Sequence, residues 1–225
     1  MALPADTSAL ARGLEHGLAD LGLPVPKAQR GQLLDYLGLL AKWNRVYNLT
    51  AVRDPQQMLV QHLLDCLAVV APVRRALAAW APEPVAATRV LDVGAGAGLP
   101  GVVLAVCCPE LEIDCIDTVG KKVAFVRQVS TALALPRLRG LHGRVEAVTD
   151  HYPLVCSRAF ASLADFTAGS RAALRPGGLW LAMKGKLPEA EIAALPPDIE
   201  TFHVEQLHVP GLGADRCLVW MRRRA

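Results

Sequence analysis

The sequence has no C-x-x-C pair, no apolar run approaching the roughly 20 residues that span a bilayer, and very little net charge. Its six cysteines, Cys66, Cys107, Cys108, Cys115, Cys156 and Cys217, sit mostly inside apolar stretches. That placement argues against a disulfide framework and reads them as small core hydrophobes of a reducing compartment. Asp6, Arg12, Glu15 and Asp20 interrupt the N-terminal region, which therefore lacks the apolar core of a secretory signal. A cytoplasmic chain without a membrane partner is expected, and no metal site. Lys and Arg number 24 against 21 Asp and Glu, so at +3 the composition neither demands nor excludes a nucleic-acid partner; the distribution of charge must decide.

What is present is ample apolar content, 52% of 225 residues, enough to fill a sizeable core. Over residues 1–80 no strand pattern stands out. Apolar residues recur at helical spacing instead, as in Leu33, Leu37, Leu40 and in Tyr36, Leu40, Trp43, Tyr47. Asp54-Pro55 is a helix start, a capping acceptor followed by proline at the first helical position, and Pro72 breaks or restarts the helix it opens. Residues 81–88, Ala-Pro-Glu-Pro-Val-Ala-Ala-Thr, read as a short linker. From residue 89 to 225 short apolar strands alternate with helical stretches, the pattern of right-handed βαβ units in a mostly parallel sheet. Strands are expected near 89–93, 111–117, 138–142, 153–157, 178–184, 201–209 and 216–222. The last two are joined only by a short turn and form an antiparallel pair.

The feature that points to chemistry is Asp92-Val93-Gly94-Ala95-Gly96-Ala97-Gly98, which follows the buried-strand pattern Arg89–Val93 and precedes the helix-compatible run from Leu99 to Cys108. A strand, a glycine turn and a helix make a nucleotide-type binding corner, since glycine permits the turn and lets a ligand approach the backbone. Gly96-Ala97-Gly98-Leu99-Pro100-Gly101 also satisfies G-x-G-x-x-G, with Asp117 about 20 residues on, as a nicotinamide dinucleotide would require. S-adenosylmethionine has no phosphate and presents an ammonium, a sulfonium and two ribose hydroxyls, so carboxylates matter more for it. Asp92 is placed to hold the ammonium side, directly or through water, and Asp117 to accept the ribose hydroxyls. The alternatives are a loop-capping carboxylate for Asp92 and a helix cap before Val119 for Asp117. Arg144-Val145-Glu146 follows the third strand where an adenine edge would lie, unless it is a solvated turn. Arg158 ends the fourth strand at the sheet's switch point, with a salt bridge inside its own domain as the alternative.

Several stretches together resemble one family: Trp43-Asn44, Tyr47 to Val52, His62 to Asp65, Asp92 to Gly101, Gly120-Lys121-Lys122, Gly143 to Glu146, Ser157 to Leu163 and Met183-Lys184-Gly185. The chain resembles the ribosomal small subunit methyltransferase G family, formerly called glucose-inhibited division protein B. The resemblance implies an α/β, Rossmann-like class I methyltransferase fold with seven strands and an N-terminal helical extension. It also implies transfer of a methyl group from S-adenosylmethionine to N7 of a guanine in the 530-loop hairpin of 16S rRNA. Gly94, Leu99, Val145, Glu146 and Arg158 would carry over as donor contacts, with Gly96 and Gly98 in the same loop and Asp117 by its position. Cys66 departs from the serine more usual after Leu-Leu-Asp.

Guanine N7 is a lone pair without a proton, so its attack needs no general base, and the absence of a nucleophile motif suits this chemistry. His62 and His142 read as a helix-face and a strand-end histidine. Asp65 is expected to orient Asn48, contact the base or lie on a helix surface. Arg158 and Lys184 are expected beside the base as positioning groups. Lys121, Lys122, Arg127, Arg137, Arg139 and Arg144 carry no acidic residue among them and make an RNA-contact patch or a solvated helix face. Of these Lys121, Lys122, Arg127 and Arg144, with Lys184, are the main RNA contacts; Lys186 and Arg222, Arg223 and Arg224 would extend them if they share a face. The partner would be 16S rRNA, or the small subunit or an assembly intermediate of it, met by a monomer. Two other readings stay open: a nicotinamide-dependent oxidoreductase using Gly96, Gly98 and Gly101, and an RNA-binding or regulatory module without catalysis.

Overall fold

The computed structural model describes residues 5–80, 88–158, 160 and 162–224. Its first part is helical: α1 (Ala5–Asp20), α2 (Lys27–Tyr47), α3 (Pro55–Met58), a π-helical stretch (Leu59–Leu64), α4 (Asp65–Leu67) and α5 (Val70–Trp80). Asp54 caps α3 as its sequence suggests, its Oδ1 accepting the Gln57 N–H at 2.8 Å. Pro72 falls in the first turn of α5, where its missing N–H costs no helical bond, so the helix restarts there. Of the linker expected over residues 81–88, residues 81–87 lie outside the described residues.

Seven strands form one sheet in the order β3-β2-β1-β4-β5-β7-β6. They are β1 (Arg89–Val93), β2 (Glu112–Asp117), β3 (Leu138–His142), β4 (Tyr152–Arg158), β5 (Leu174–Lys184), β6 (Ile199–Leu207) and β7 (Arg216–Arg223). The first five run parallel; β7 is inserted antiparallel between β5 and β6. Two strands depart from the sequence reading. β5 begins at Leu174, which pairs with Tyr152 before a register irregularity, so Arg175-Pro-Gly-Gly is absorbed into a bulged strand where its composition suggests a turn. β6 starts two residues earlier than expected because Ile199 is buried against the sheet's second face.

Alternation along the strands sends Val90, Ile113, Cys115, Leu154 and Leu181 to one face, where α6 (Gly101–Cys107), α7 (Gly120–Ala132) and the N-terminal helices share a single core with them. Leu91, Val93, Ile116, Val155 and Trp180 point to the other face, covered by α8 (Leu163–Gly169) and by Ile192 of α9 (Glu189–Ala193). All six cysteines are free and buried in these cores. No helix among the described residues is long and apolar enough to cross a membrane.

Two buried carboxylates organise the sheet. Asp114 of β2, wholly buried, receives Arg139 through Nε at 2.6 Å and Nη2 at 2.8 Å, Arg89 at 3.0 Å and the Tyr152 hydroxyl at 2.7 Å, so three strands meet on one side chain. Asp92 of β1 lies under the glycine loop, where its Oδ2 accepts the Gly101 N–H at 2.9 Å. A Cβ on Gly101 would stand 2.4 Å from the Cys115 Sγ and 2.9 Å from that same oxygen, so only glycine lets α6 pack this closely on the strands. Asp92 Oδ1 makes no hydrogen bond to the described residues. Burial raises the Asp92 carboxyl from 3.8 to about 7, against the opposing pull of the Gly101 N–H and Arg158.

Replacing Asp114 by Ala leaves Arg139 without its carboxylate while Arg89 keeps Asp150, and with both guanidinium groups partly exposed it is expected to destabilise the fold by roughly 1 to 3 kcal/mol, read as a lower urea midpoint with an unchanged slope. For Asp92 the folded state binds its proton more tightly than the unfolded chain. Its contribution is therefore fully present below pH 3.8 and is lost as pH rises toward 7. Asp92→Asn should remove that fall, on the order of 4 kcal/mol, flattening stability measured between pH 4 and 7.

Candidate functional site

The parallel strands end together, and their carboxyl ends are where an open α/β sheet binds ligands. Immediately past β1 the loop turns through Gly94, Gly96 and Gly98 at φ of 66°, 59° and 83°, a left-handed region that other residues adopt only with strain. The loop is pinned from three sides. Gly94 and Ala95 donate their N–H groups to the Ile116 carbonyl at 2.9 and 3.1 Å, the Tyr36 hydroxyl of α2 donates to the Ala97 carbonyl at 3.0 Å, and Asp117 Oδ2 accepts the Gly96 N–H at 3.0 Å.

A cavity of about 320 Å³ opens beside it, lined among others by Gly94, Asp117, Lys122, Val145, Glu146 and Phe160. A Cβ added at Gly94 would meet only the Phe160 ring, at 3.9 Å, so glycine leaves the room between loop and ring clear. Asp117 closes the end of β2. Its Oδ1 accepts the Val119 N–H at 2.8 Å in a turn just ahead of α7, and Lys122 Nζ stands 3.6 Å from Oδ2. The capping alternative raised by the sequence is not realised, since α7 begins from Val119 without a side-chain cap, and Asp117 lines the cavity. A nucleoside with two ribose hydroxyls fits this donor set, as S-adenosylmethionine would require.

Other expected donor residues are placed differently. Asp92 does not line the cavity: it is 0% exposed and supports the loop from beneath, so the direct ammonium contact expected of it is replaced by the bond to Gly101. Leu99 is in the core, and Gly98 faces Val102, whose Cγ2 would lie 2.6 Å from an added Cβ. The start of α6, where a dinucleotide would set its pyrophosphate, already carries the Asp92 carboxyl on the Gly101 N–H. That arrangement disfavours the oxidoreductase reading.

A second cavity, about 370 Å³, is lined by Gln61, His62, Asp65, Arg158, Met183, Lys184, Gly185 and Arg216, and adjoins the first where Lys184 Nζ donates to the Phe160 carbonyl at 3.4 Å. Its centre is Asp65, 3% exposed, which neither orients Asn48 nor lies on a helix surface. Oδ2 accepts Arg158 at 3.1 Å and Oδ1 accepts Arg216 Nε at 2.8 Å; Arg158 also donates to the Gln61 carbonyl at 3.0 Å. Arg158 thus pairs with the N-terminal helices, beyond its own part of the chain. Asn48 instead accepts from Arg53 at 3.1 Å. His62, carried on the π-helical stretch, meets the Thr50 hydroxyl at 2.8 Å, and burial followed by the Arg158 charge lowers its pKa, keeping it neutral. Burial pushes the neighbouring Cys66 thiol up to about 12, which removes it as a nucleophile. Lys184 lies in this cavity with Nζ 2.8 and 3.1 Å from the two oxygens of Glu191. It reaches the site as half of an ion pair.

The basic stretch divides in the structure. Arg139 is committed to Asp114, Arg137 donates to the Glu110 carbonyl at 3.0 Å and Arg127 to the Gly140 carbonyl at 2.9 Å. Lys121 and Arg144 are exposed at the first cavity's side of the chain, and Lys122 and Arg144 line that cavity. Arg222, Arg223 and Arg224 do not extend this face. Register pairs Cys217 with Lys184 at the site end and Arg223 with Ile199 at the other, so at about 3.3 Å per residue they lie roughly 20 Å away. Sequence reasoning missed Gln61, Phe160, Glu191 and Arg216 and gave His62 no role. The Asp65–Arg216 pair spans 151 residues and leaves no local signal.

A family model described as rRNA small subunit methyltransferase G matches residues 29–219. A ribosomal RNA small subunit methyltransferase G of Albidiferax ferrireducens is 60% identical over 220 residues, 96% of this chain and 98% of that one. Its counterpart in Acidovorax sp. is 58% identical over 211 residues, 93% of each chain. Among solved structures, TrmN from Thermus thermophilus superposes with a TM-score of 0.54 at 19% identity, covering 74% of this chain and 53% of that one. A SAM-dependent methyltransferase from Aquifex aeolicus gives 0.50 at 16% identity, covering 75% and 93%. At such identities the likeness concerns the fold, the class I methyltransferase sheet. The glycine loop over Asp92, the cavity at Asp117 and the sequence match along most of its length lead to one conclusion: the chain belongs to the rRNA small subunit methyltransferase G family.

Proposed function

We propose that this chain transfers a methyl group from S-adenosylmethionine to N7 of a guanine in the 530-loop hairpin of 16S rRNA, as a cytoplasmic monomer. The observation that carries the reading is the pair of adjoining cavities, one fitted to a nucleoside at Gly94, Asp117, Val145 and Glu146, the other ringed by polar groups at Asp65, Arg158 and Arg216. In this division of the chain, residues 1–80 supply one wall of the acceptor cavity and residues 89–225 hold the donor.

When bound, S-adenosylmethionine supplies an electrophilic methyl group whose bond to sulfur breaks as N7 attacks, the bonding pair staying on sulfur and the positive charge passing to the purine. The protein's task is alignment, which accounts for roughly 7 to 11 kcal/mol of barrier lowering where two partners are held in line. Asp117 accepts the ribose hydroxyls, and Val145 and Glu146 border the adenine. Gly94 keeps the passage to Phe160 clear, while Gly96, Gly98 and Leu99 shape the loop over Asp92. Arg158 and Lys184 position the base. Asp65 offsets one of the two guanidinium charges and Glu191 the ammonium, so the charge arriving on the purine meets a nearly balanced cavity. Neutral His62 takes no proton because none is released at N7. Lys121, Lys122, Arg127 and Arg144 contact phosphates, which makes binding salt-dependent.

Incubation with labelled donor and small-subunit RNA from cells lacking the modification should label one loop guanine, located by mapping N7-methylated positions. No label under conditions where the donor binds would overturn the substrate assignment. By calorimetry, Asp117→Ala should weaken donor binding by about tenfold to a hundredfold, the loss of hydrogen bonds to two hydroxyls, while wild-type protein gives no response to NADH.

A further inference from the structure

The proposed reaction leaves unused the surface made by the C-terminal end of α2 and the loop after it. Four large apolar side chains stand exposed among the described residues: Val46 at 71%, Tyr47 at 42%, Phe202 at 43% and Leu187 at 41%. Phe202 is covered by the Arg222 guanidinium 5.0 Å from its ring centre. Val46 and Tyr47 are adjacent and uncovered, and Tyr47 is braced from behind by Trp43 with ring centres 5.0 Å apart, which in turn packs on Phe125 of α7 at 5.5 Å. A tyrosine held this way offers a flat face whose ordering cost has already been met.

Along residues 36–53 the charge has one sign, with the exposed Asp35 and Asp54 bounding the stretch. Residues 36–53 contain Lys42, Arg45 and Arg53 and no carboxylate, and all three cations are exposed. An aromatic face flanked by cations is what a single-stranded nucleic acid recognises, through base stacking and phosphate contact, whereas an apolar protein partner would have to desolvate these cations.

Position ties this surface to the two cavities. Gln32 near the start of α2 donates to the Leu133 carbonyl at the end of α7, and Trp43 meets Phe125, so the helices run antiparallel. One turn beyond those contacts, Tyr47 therefore comes level with Lys121 at the site end of the sheet. The loop behind it is fixed: the buried Asn44 donates to the Val52 carbonyl at 3.0 Å and accepts the Thr50 N–H at 2.9 Å, and Thr50 meets His62, which lines the acceptor cavity, at 2.8 Å. Asn48 makes the turn in the left-handed conformation, φ 49°.

We infer that residues 42–53 dock the single-stranded RNA flanking the base to be methylated, with Tyr47 stacking on a neighbouring base and Lys42, Arg45 and Arg53 touching its phosphates. The inference rests on the RNA-methylation reading above and names where the strand runs once the guanine enters the cavity beside His62.

The test measures binding of the full chain to a short single-stranded RNA and methylation of unmodified small-subunit RNA. Tyr47→Ala should raise the Kd for the oligonucleotide on the order of tenfold, one lost base stack, while Tyr47→Phe stays near wild type. Donor binding by calorimetry and the melting temperature report that the variants fold. Phe202→Ala, on the far edge strand, should bind RNA as wild type does. Arg45→Gln combined with Arg53→Gln should lower the log–log salt slope by about 1.4, two phosphates at about 0.7 each. If wild-type protein methylates RNA and Tyr47→Ala binds and methylates equally well, the docking surface is overturned and the substrate reading stands. If wild-type protein neither binds nor methylates RNA, both fall.

Discussion

Helix α6 lies so close to strands β1 and β2 that no atom beyond the backbone fits at Gly101, and the carboxyl of Asp92 fills what space remains. That contact sets the height at which the chain leaves β1, and hence where Gly94, Gly96 and Gly98 must turn. The cavity at Asp117 is the space left beside the turn once Ile116, Tyr36 and Asp117 have tied it down. A charged group so deep is normally costly. Here burial moves the carboxyl's titration to about 7, so near neutrality the group is partly uncharged while still accepting the helix's first N–H.

The second dependence runs between distant parts of the chain. Asp65 comes from the N-terminal helices, Arg158 from the end of β4 and Arg216 from the start of β7, and no other side chain among the described residues receives two arginines at the acceptor cavity. Removing Asp65 would leave both guanidinium groups without their carboxylate. The helical extension is therefore part of the site's construction, and it also supplies the tyrosine that holds the donor loop.

Much of this was legible in the residues. A buried strand, a glycine turn and an apolar helix identify the corner by local chemistry alone, and Asp117 follows by its distance from the corner. The failures have a common physical cause. Asp92 reads as a ligand contact because spacing says nothing of which strand face a residue takes, and alternation turns it toward α6. Arg139 reads as a cation for RNA because its carboxylate, Asp114, is brought to it only by the fold, and the pairing of Lys184 with Glu191 is equally hidden in the sequence. Arg222 to Arg224 look contiguous with the site along the sequence, yet an antiparallel strand delivers them to the opposite end of the sheet. β5 was shortened because Pro-Gly-Gly is a turn signal that a bulge accommodates.

The insertion of β7 between β5 and β6 also has a temporal meaning. During synthesis the walls of the acceptor cavity leave the ribosome in the order Gln61 to Asp65, Arg158, Met183 to Gly185 and finally Arg216. Without β7, β5 lacks its antiparallel neighbour and Asp65 has one arginine instead of two. The cavity that joins Asp65 to Arg216 is thus complete only once residues 151 positions apart have both been made.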